Sequence, residues 1–266
     1  MVNPPPKMSL QAPAPPNQEQ PLLVFLPGMD GTGLSLNKQL LELQRYFDVR
    51  YLTIPFDERS TSDKFLDHVI DLISPIASAQ RPLYLCGESF GGCLALKIAA
   101  REPNLASRLI LINPASNFRS YPVYQWASNF LPLIPKVFFL PATIGLFPFL
   151  INFNRVPAQT RAELLKCMQQ VTPQSASQRL SILRQWSLDA MTLRQISVPT
   201  LILASQKDQL LGSVKEARRL VQLLPNAQQT LLPESGHACL LESSVNLVSL
   251  LESQDFLPKP KTVYQF

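Results

Sequence analysis

The chain has 266 residues, 46% of them hydrophobic and 16% charged, with a formal net charge of +5. That length and apolar content suffice for one large core, most simply a single α/β domain carrying an insertion. The Lys and Arg residues are scattered, with no run longer than Arg218-Arg219, which fits a solvated basic surface and excludes a nucleic-acid footprint.

Residues 1–20 carry prolines at 4, 5, 6, 13, 15 and 16 and no apolar signal region, so a disordered lead-in is expected. The main domain is expected over 21–256, with 257–266 as a tail. Leu22 to Leu26 is an apolar run stopped by Pro27-Gly28 and reads as a buried strand. Val49 to Ile54, Leu83 to Cys86, Leu109 to Ile112, Thr200 to Ala204 and Gln229 to Leu232 repeat that pattern. Between them, Asp63 to Ala77, Phe90 to Ala100, Val214 to Leu224 and Leu240 to Leu251 have helical spacing or composition. Short apolar strands alternating with helices predict a mostly parallel, doubly wound α/β sheet covered on both faces.

From about 118 to 191 the alternation stops, which marks a helical cap insertion between two core strands. Its first half, Tyr121 to Val156, is rich in Pro, Phe, Leu and Ile, and its second half, Ala158 to Met191, is polar. Leu131 to Ile151 approaches the length of a membrane helix, but prolines at 132, 135, 141 and 148 argue against one. An apolar cap is expected instead, with peripheral membrane contact as the rival role.

Gly87-Glu88-Ser89-Phe90-Gly91 is G-x-S-x-G, set between a strand and a helix. In that context the pentapeptide is a nucleophile elbow: the serine oxygen stands at the top of the sheet, beside a helix N-terminus. A serine needs a base, and only two histidines exist. His68 lies among Lys64, Asp67 and Asp71 on the polar side of a helix, whereas His237 follows the last strand in a Ser-Gly-His loop. His237 is therefore the expected base. The orienting acid should follow the strand Thr200 to Ala204, where Asp208 stands; Asp189 precedes that strand and belongs to the insertion. Backbone N–H groups of Met29 and Phe90 are the expected oxyanion donors. Asp30 either braces its loop or contacts substrate.

The four cysteines, Cys86, Cys93, Cys167 and Cys239, lack metal-ligand spacing; three of them sit in segments that read as buried or near the site, where Cys behaves as a small hydrophobe, and a reducing compartment is expected. No metal or cofactor is expected, and the location expected is cytoplasmic or membrane-peripheral.

With these residues the chain resembles the α/β-hydrolase superfamily over about 21–256. Leu26-Pro27-Gly28-Met29-Asp30-Gly31-Thr32-Gly33, together with Gly87-Glu88-Ser89-Phe90-Gly91-Gly92, is similar to the esterase-like module of plastid phytyl ester synthases and their cyanobacterial relatives. Pro199 to Ala204 with Lys207-Asp208, and Ser235-Gly236-His237, match the superfamily's positions for acid and base. The resemblance implies a serine esterase, lipase or thioesterase acting on lipid-like acyl esters or acyl thioesters. The plant enzymes also carry an acyltransferase module with a His-x4-Asp signature. This sequence is expected to stop short of one, and Ile73 occupies the Asp position after His68. Hydrolysis through an acyl-Ser89 intermediate is thus the expectation. Acyl transfer to an alcohol, C–C cleavage or lyase chemistry on the same triad, and ligand binding without turnover are the alternatives.

Overall fold

The computed structural model describes residues 7–77, 81–122 and 136–258. Seven strands form one sheet: β1 (Ser9–Gln11), β2 (Leu22–Leu26), β3 (Asp48–Thr53), β4 (Leu83–Glu88), β5 (Arg108–Ile112), β6 (Thr200–Ser205) and β7 (Ala227–Leu232). Their order is β1-β3-β2-β4-β5-β6-β7, and every pairing is parallel except that of β1 with β3. The six expected strands are present, each within two residues of its expected limits at either end.

β1 corrects one expectation. The lead-in is not disordered throughout, because Ser9, Leu10 and Gln11 pair antiparallel with Thr53, Leu52 and Tyr51, and Met8 is buried beneath the sheet edge. A three-residue edge strand between prolines is too short to show a period in sequence. Residues 1–6 of that expected lead-in, and 259–266 of the expected tail, lie outside the described residues.

The pleat feeds two cores. Leu22, Val24 and Leu26 point into one cluster with α2 (Ser62–Ile73) and α3 (Phe90–Arg101), while Leu23 and Phe25 point into the other. The second cluster includes Leu43 of α1 (Leu40–Leu43) and Leu247, Val248 and Leu251 further along the chain. Burial on both faces is why these strands read as continuous apolar runs.

The insertion between β5 and β6 holds α4 (Lys136–Leu150), α5 (Ala158–Gln170), α6 (Pro173–Gln185) and α7 (Ala190–Gln195). Residues 123–135, part of the apolar first half, lie outside the described residues. α4 passes through Pro141 and Pro148 and has 15 described residues. No helix among the described residues is long and apolar enough to cross a membrane. Beyond β6 comes α8 (Ser213–Leu223). The final helix expected over Leu240 to Leu251 is split into a 3-10 turn at Cys239–Leu241 and α9 (Leu247–Ser253). Asn246 starts α9 afresh by accepting from the Ser249 N–H at 3.0 Å, and Glu242 is drawn toward the site described next.

Candidate active site

Ser89 occupies the single residue between β4 and α3, at φ 54 and ψ −111. A non-glycine residue there is strained by about 1–3 kcal/mol. The surroundings enforce it: Ser89 N–H donates to the Ile112 carbonyl at 2.9 Å, and its carbonyl accepts from Gly92 and Ala115, both at 3.1 Å. The flanking glycines answer to close packing. A Cβ on Gly87 would lie 2.2 Å from the Gly91 carbonyl oxygen, and one on Gly91 would lie 1.9 Å from that of Leu26. The ends of β2 and β4 and the start of α3 thus meet at one point.

Two loops from distant sequence complete the group. His237 Nε2 lies 2.9 Å from Ser89 Oγ, and its Nδ1 lies 2.8 Å from Asp208 Oδ2. The Asp208 carboxylate also accepts from the amides of Leu210 and Leu211, each at 2.9 Å, and from the Ser213 hydroxyl. Burial works against the Asp208 charge, but the His237 charge and these bonds outweigh it and hold its pKa below the ordinary range. Burial likewise works against a charged His237, and the negative charges of Asp208 and Glu88 overcome it, so its pKa is raised. The other histidine, His68, lies on α2, and Asp189 caps α7 by accepting from Thr192 N–H at 2.7 Å. Neither enters the group.

Several side chains hold the His237 loop, and sequence reasoning did not identify them. Asn113, at φ 44 after β5, donates to the His237 carbonyl at 2.6 Å and to Ser205 Oγ at 2.9 Å. Glu242, 1% exposed, accepts from Gly236 N–H at 2.8 Å, Ser235 Oγ at 3.0 Å and Arg155 Nε at 2.6 Å. The available signal for Glu242 is a lone acid directly after the apolar run Ala238 to Leu241. Arg155 comes from the insertion, as does Leu150, whose carbonyl accepts from Ala238 N–H at 2.8 Å.

The loop after β2 also approaches Ser89. A Cβ on Gly28 would be 3.8 Å from the Ser89 Cβ, and the amides of Met29 and Phe90 donate to no acceptor among the described residues. Asp30 braces this loop by accepting from the Thr32 amide at 3.0 Å and from the Thr32 hydroxyl. The Phe90 ring stacks on Trp186 of the insertion, centroid to centroid 5.7 Å. Tyr121, at the insertion's start, accepts from Gly212 N–H at 2.6 Å near the Asp208 loop. The insertion therefore touches the His237 loop, the Asp208 loop and the residue that follows Ser89.

Glu88, next to the serine, is buried with Oε1 unpartnered, and burial is the main cause of a pKa pushed up to about 7. Ser35's hydrogen bond and the His237 charge temper that rise. In the folded state Glu88 keeps a proton that the unfolded chain releases near its ordinary value of 4.5. Its contribution to stability is full below that value and fades as pH climbs toward about 7. Glu88→Gln is therefore expected to gain stability relative to the parent above about pH 7, read by thermal melts across pH. Loss of its charge should also move the acid limb of the pH–activity profile to lower pH. An unchanged acid limb would show that Glu88 does not act on His237. The four thiols are held in their protonated form at neutral pH. Burial raises every cysteine pKa, to about 12 for Cys93 and about 11 for Cys167.

The family profile described as serine aminopeptidase, S33 (Hydrolase_4) matches residues 57–244. Phytyl ester synthase 1, chloroplastic, of Arabidopsis thaliana is 31% identical over 92% of this chain, which spans 40% of that protein's length. Pimeloyl-[acyl-carrier protein] methyl ester esterase of Nitrosomonas europaea is 27% identical, over 79% of this chain and 86% of that one. The structure of MenH from S. aureus superposes with a TM-score of 0.75 at 19% identity, covering 94% of this chain and 99% of that chain. That likeness gives the α/β-hydrolase fold, as the sequence resemblance implied. With the profile spanning residues 57–244, the chain belongs to the Hydrolase_4 family of α/β-hydrolases and is a serine hydrolase.

Proposed function

We propose that the chain cleaves ester or thioester bonds of hydrophobic acyl substrates through an acyl-Ser89 intermediate. The observation that carries this reading is the continuous relay Ser89 Oγ–His237 Nε2, His237 Nδ1–Asp208 Oδ2, at 2.9 and 2.8 Å. In the first half-reaction Ser89 Oγ attacks the acyl carbonyl and its proton passes to His237 Nε2. Met29 and Phe90 amides receive the oxyanion of the tetrahedral intermediate. His237 then protonates the departing alcohol or thiol, leaving the acyl group on Ser89. Water, deprotonated by the same nitrogen, attacks the acyl-enzyme; the Ser89 Oγ–acyl bond then breaks, His237 Nε2 returns its proton to Oγ, and the acid leaves. Asp208 holds the imidazole tautomer and stabilises the imidazolium.

The phytyl ester synthase and the methyl ester esterase among the relatives support an ester substrate. Transfer of the acyl group to an alcohol is a second reading, favoured by the 31% identity to the synthase. Both are tested with a series of p-nitrophenyl esters and acyl thioesters of increasing chain length, with and without a long-chain alcohol. Burst release of nitrophenol and a preference for longer chains are expected. Alkyl ester in place of free acid would favour transfer. Inertness toward the whole series would contradict both readings.

The apolar face of the insertion is read as a peripheral membrane contact. Ile144, Leu146, Phe149 and Phe153 are four of the six large apolar side chains exposed among the described residues. No Asp or Glu occurs between Glu102 and Glu163, and the Arg161 guanidinium lies 5.4 Å from the Phe153 ring centre. This face adjoins the His237 loop through Leu150, whose carbonyl accepts from Ala238 N–H. Sedimentation with anionic phospholipid vesicles should carry the chain down. The Phe149→Ser/Phe153→Ser pair should weaken that binding at least about tenfold, since a transferred Phe contributes about 1.5–3 kcal/mol. Failure of the parent chain to bind vesicles would remove this reading.

A further inference from the structure

Arg179 belongs to α6, inside the insertion, yet its side chain is buried at 1% exposure against the loop that follows β2. Its Nη1 donates to the Met29 carbonyl and its Nη2 to the Pro55 carbonyl, the latter at 2.8 Å. That loop has its own internal tie. Gly31 N–H donates to the Gly28 carbonyl at 3.0 Å, and the Gly31 carbonyl accepts from Ile54 N–H at 2.8 Å.

The Gly28 carbonyl and the Met29 N–H share one planar peptide, so the first of these bonds sets the direction of that N–H. The next peptide carries the Met29 carbonyl, and Arg179 holds it. Both peptides that flank the Met29 Cα are thereby fixed. Gly31 leaves room for this bridge: it sits at φ +73, and a Cβ there would lie 2.9 Å from Arg179 Nη1. Burial lowers the Arg179 pKa to about 10, with Asp30 and Glu58 supplying opposing negative charge, so the guanidinium stays charged at neutral pH.

We propose that Arg179 is a positioning residue, which bridges the Met29 and Pro55 carbonyls to aim the Met29 amide at the oxyanion and sets a fixed positive charge behind it. The proposal rests on the reading of Ser89 as nucleophile and Met29 as oxyanion donor. It gives the insertion a part in the chemical step, through a residue 150 positions away from the loop it holds.

The test compares the parent chain with Arg179→Met and Arg179→Lys, each normalised by active-site titration so that unfolded molecules do not count. Three quantities are read: kcat, KM, and the inhibition constant of a trifluoromethyl ketone, whose adduct with Ser89 carries the same oxyanion. Arg179→Met should lower kcat roughly 10- to 100-fold, at or below the loss seen when an oxyanion donor is deleted. KM should hardly move, and the inhibition constant should rise by a similar factor. Arg179→Lys, which keeps the charge and one of the two bonds, should fall between. A purely structural role would lower the titratable fraction and leave all three constants alone, and that result overturns the proposal. Should Arg179→Met not fold, the Lys variant decides by the same criterion. A parent chain that forms no ketone adduct would instead overturn the Ser89 reading itself.

Discussion

Ser89→Ala is expected to reduce kcat roughly 10⁴- to 10⁶-fold, the range found when the nucleophile of a serine triad is removed. The variant should keep its fold. Ser89 is held by backbone bonds to Ile112, Gly92 and Ala115, none of which uses the hydroxyl. What the hydroxyl contributes is the bond to His237, so deleting it should remove the proposed chemistry and leave packing intact. A companion substitution separates strain from function. At φ 54 and ψ −111 a side chain costs about 1–3 kcal/mol, against about 0.5–1 kcal/mol for glycine's extra freedom in the unfolded chain. Ser89→Gly should thus be inactive and about 1 kcal/mol more stable than the parent, measured by denaturant melts. A less stable glycine variant would mean that the elbow is not strained in solution.

Asp208→Asn is the second large effect, expected at roughly 10⁴-fold in kcat. The amide cannot accept the His237 Nδ1 proton in the same way and cannot balance an imidazolium. Its electrostatic signature is separate from the rate loss. The raised His237 pKa depends on Asp208 overcoming burial, so removing the charge should move the residual activity's acid limb to lower pH. The stability signs follow from the same shifts. His237's raised pKa adds stability below its unfolded value, 6.5 in the reference state, and that addition is lost as pH rises through the folded value. Asp208's lowered pKa adds stability above its unfolded value of 3.8, lost as pH falls through the folded one. Asp208→Asn should therefore narrow the stability difference between weakly acidic and alkaline pH. An acid limb that stays in place would show that Asp208 does not set the His237 titration.

The parallel strands and the Ser89, Asp208, His237 group were legible for a shared physical reason. A strand buried on both faces must be apolar through its middle, as β2 is throughout and as β4 and β6 are at Leu83–Cys86 and Leu201–Ala204. A serine on a strand-to-helix turn must have small neighbours, which the contacts at Gly87 and Gly91 explain. With two histidines in the chain, position after the last strand was enough to choose His237. The supporting shell was not legible, because its contacts join residues far apart in the chain. Asn113 reaches the His237 carbonyl across 124 positions, and Arg179 reaches Met29 across 150. No local period or propensity encodes such a pair. Asp30 shows the intermediate case, since its bracing bonds to Thr32 are local, but in sequence an acid in a Gly-rich loop serves equally well as a brace or as a ligand. Three residues carry no pattern, so β1 leaves no trace in the sequence, and the apolar residues on either side of Glu242-Ser243-Ser244 share a helical spacing that hides the Asn246 cap.

The central claim is that Ser89 is an activated nucleophile, and intact-protein mass spectrometry after treatment with a fluorophosphonate tests it most directly. The expected result is one adduct per chain, mapped to Ser89, absent in Ser89→Ala and slowed by several orders of magnitude in His237→Ala. A folded parent chain that gains no adduct, or gains it at another residue, would contradict the claim and leave the relay at Ser89 as geometry without the proposed chemistry.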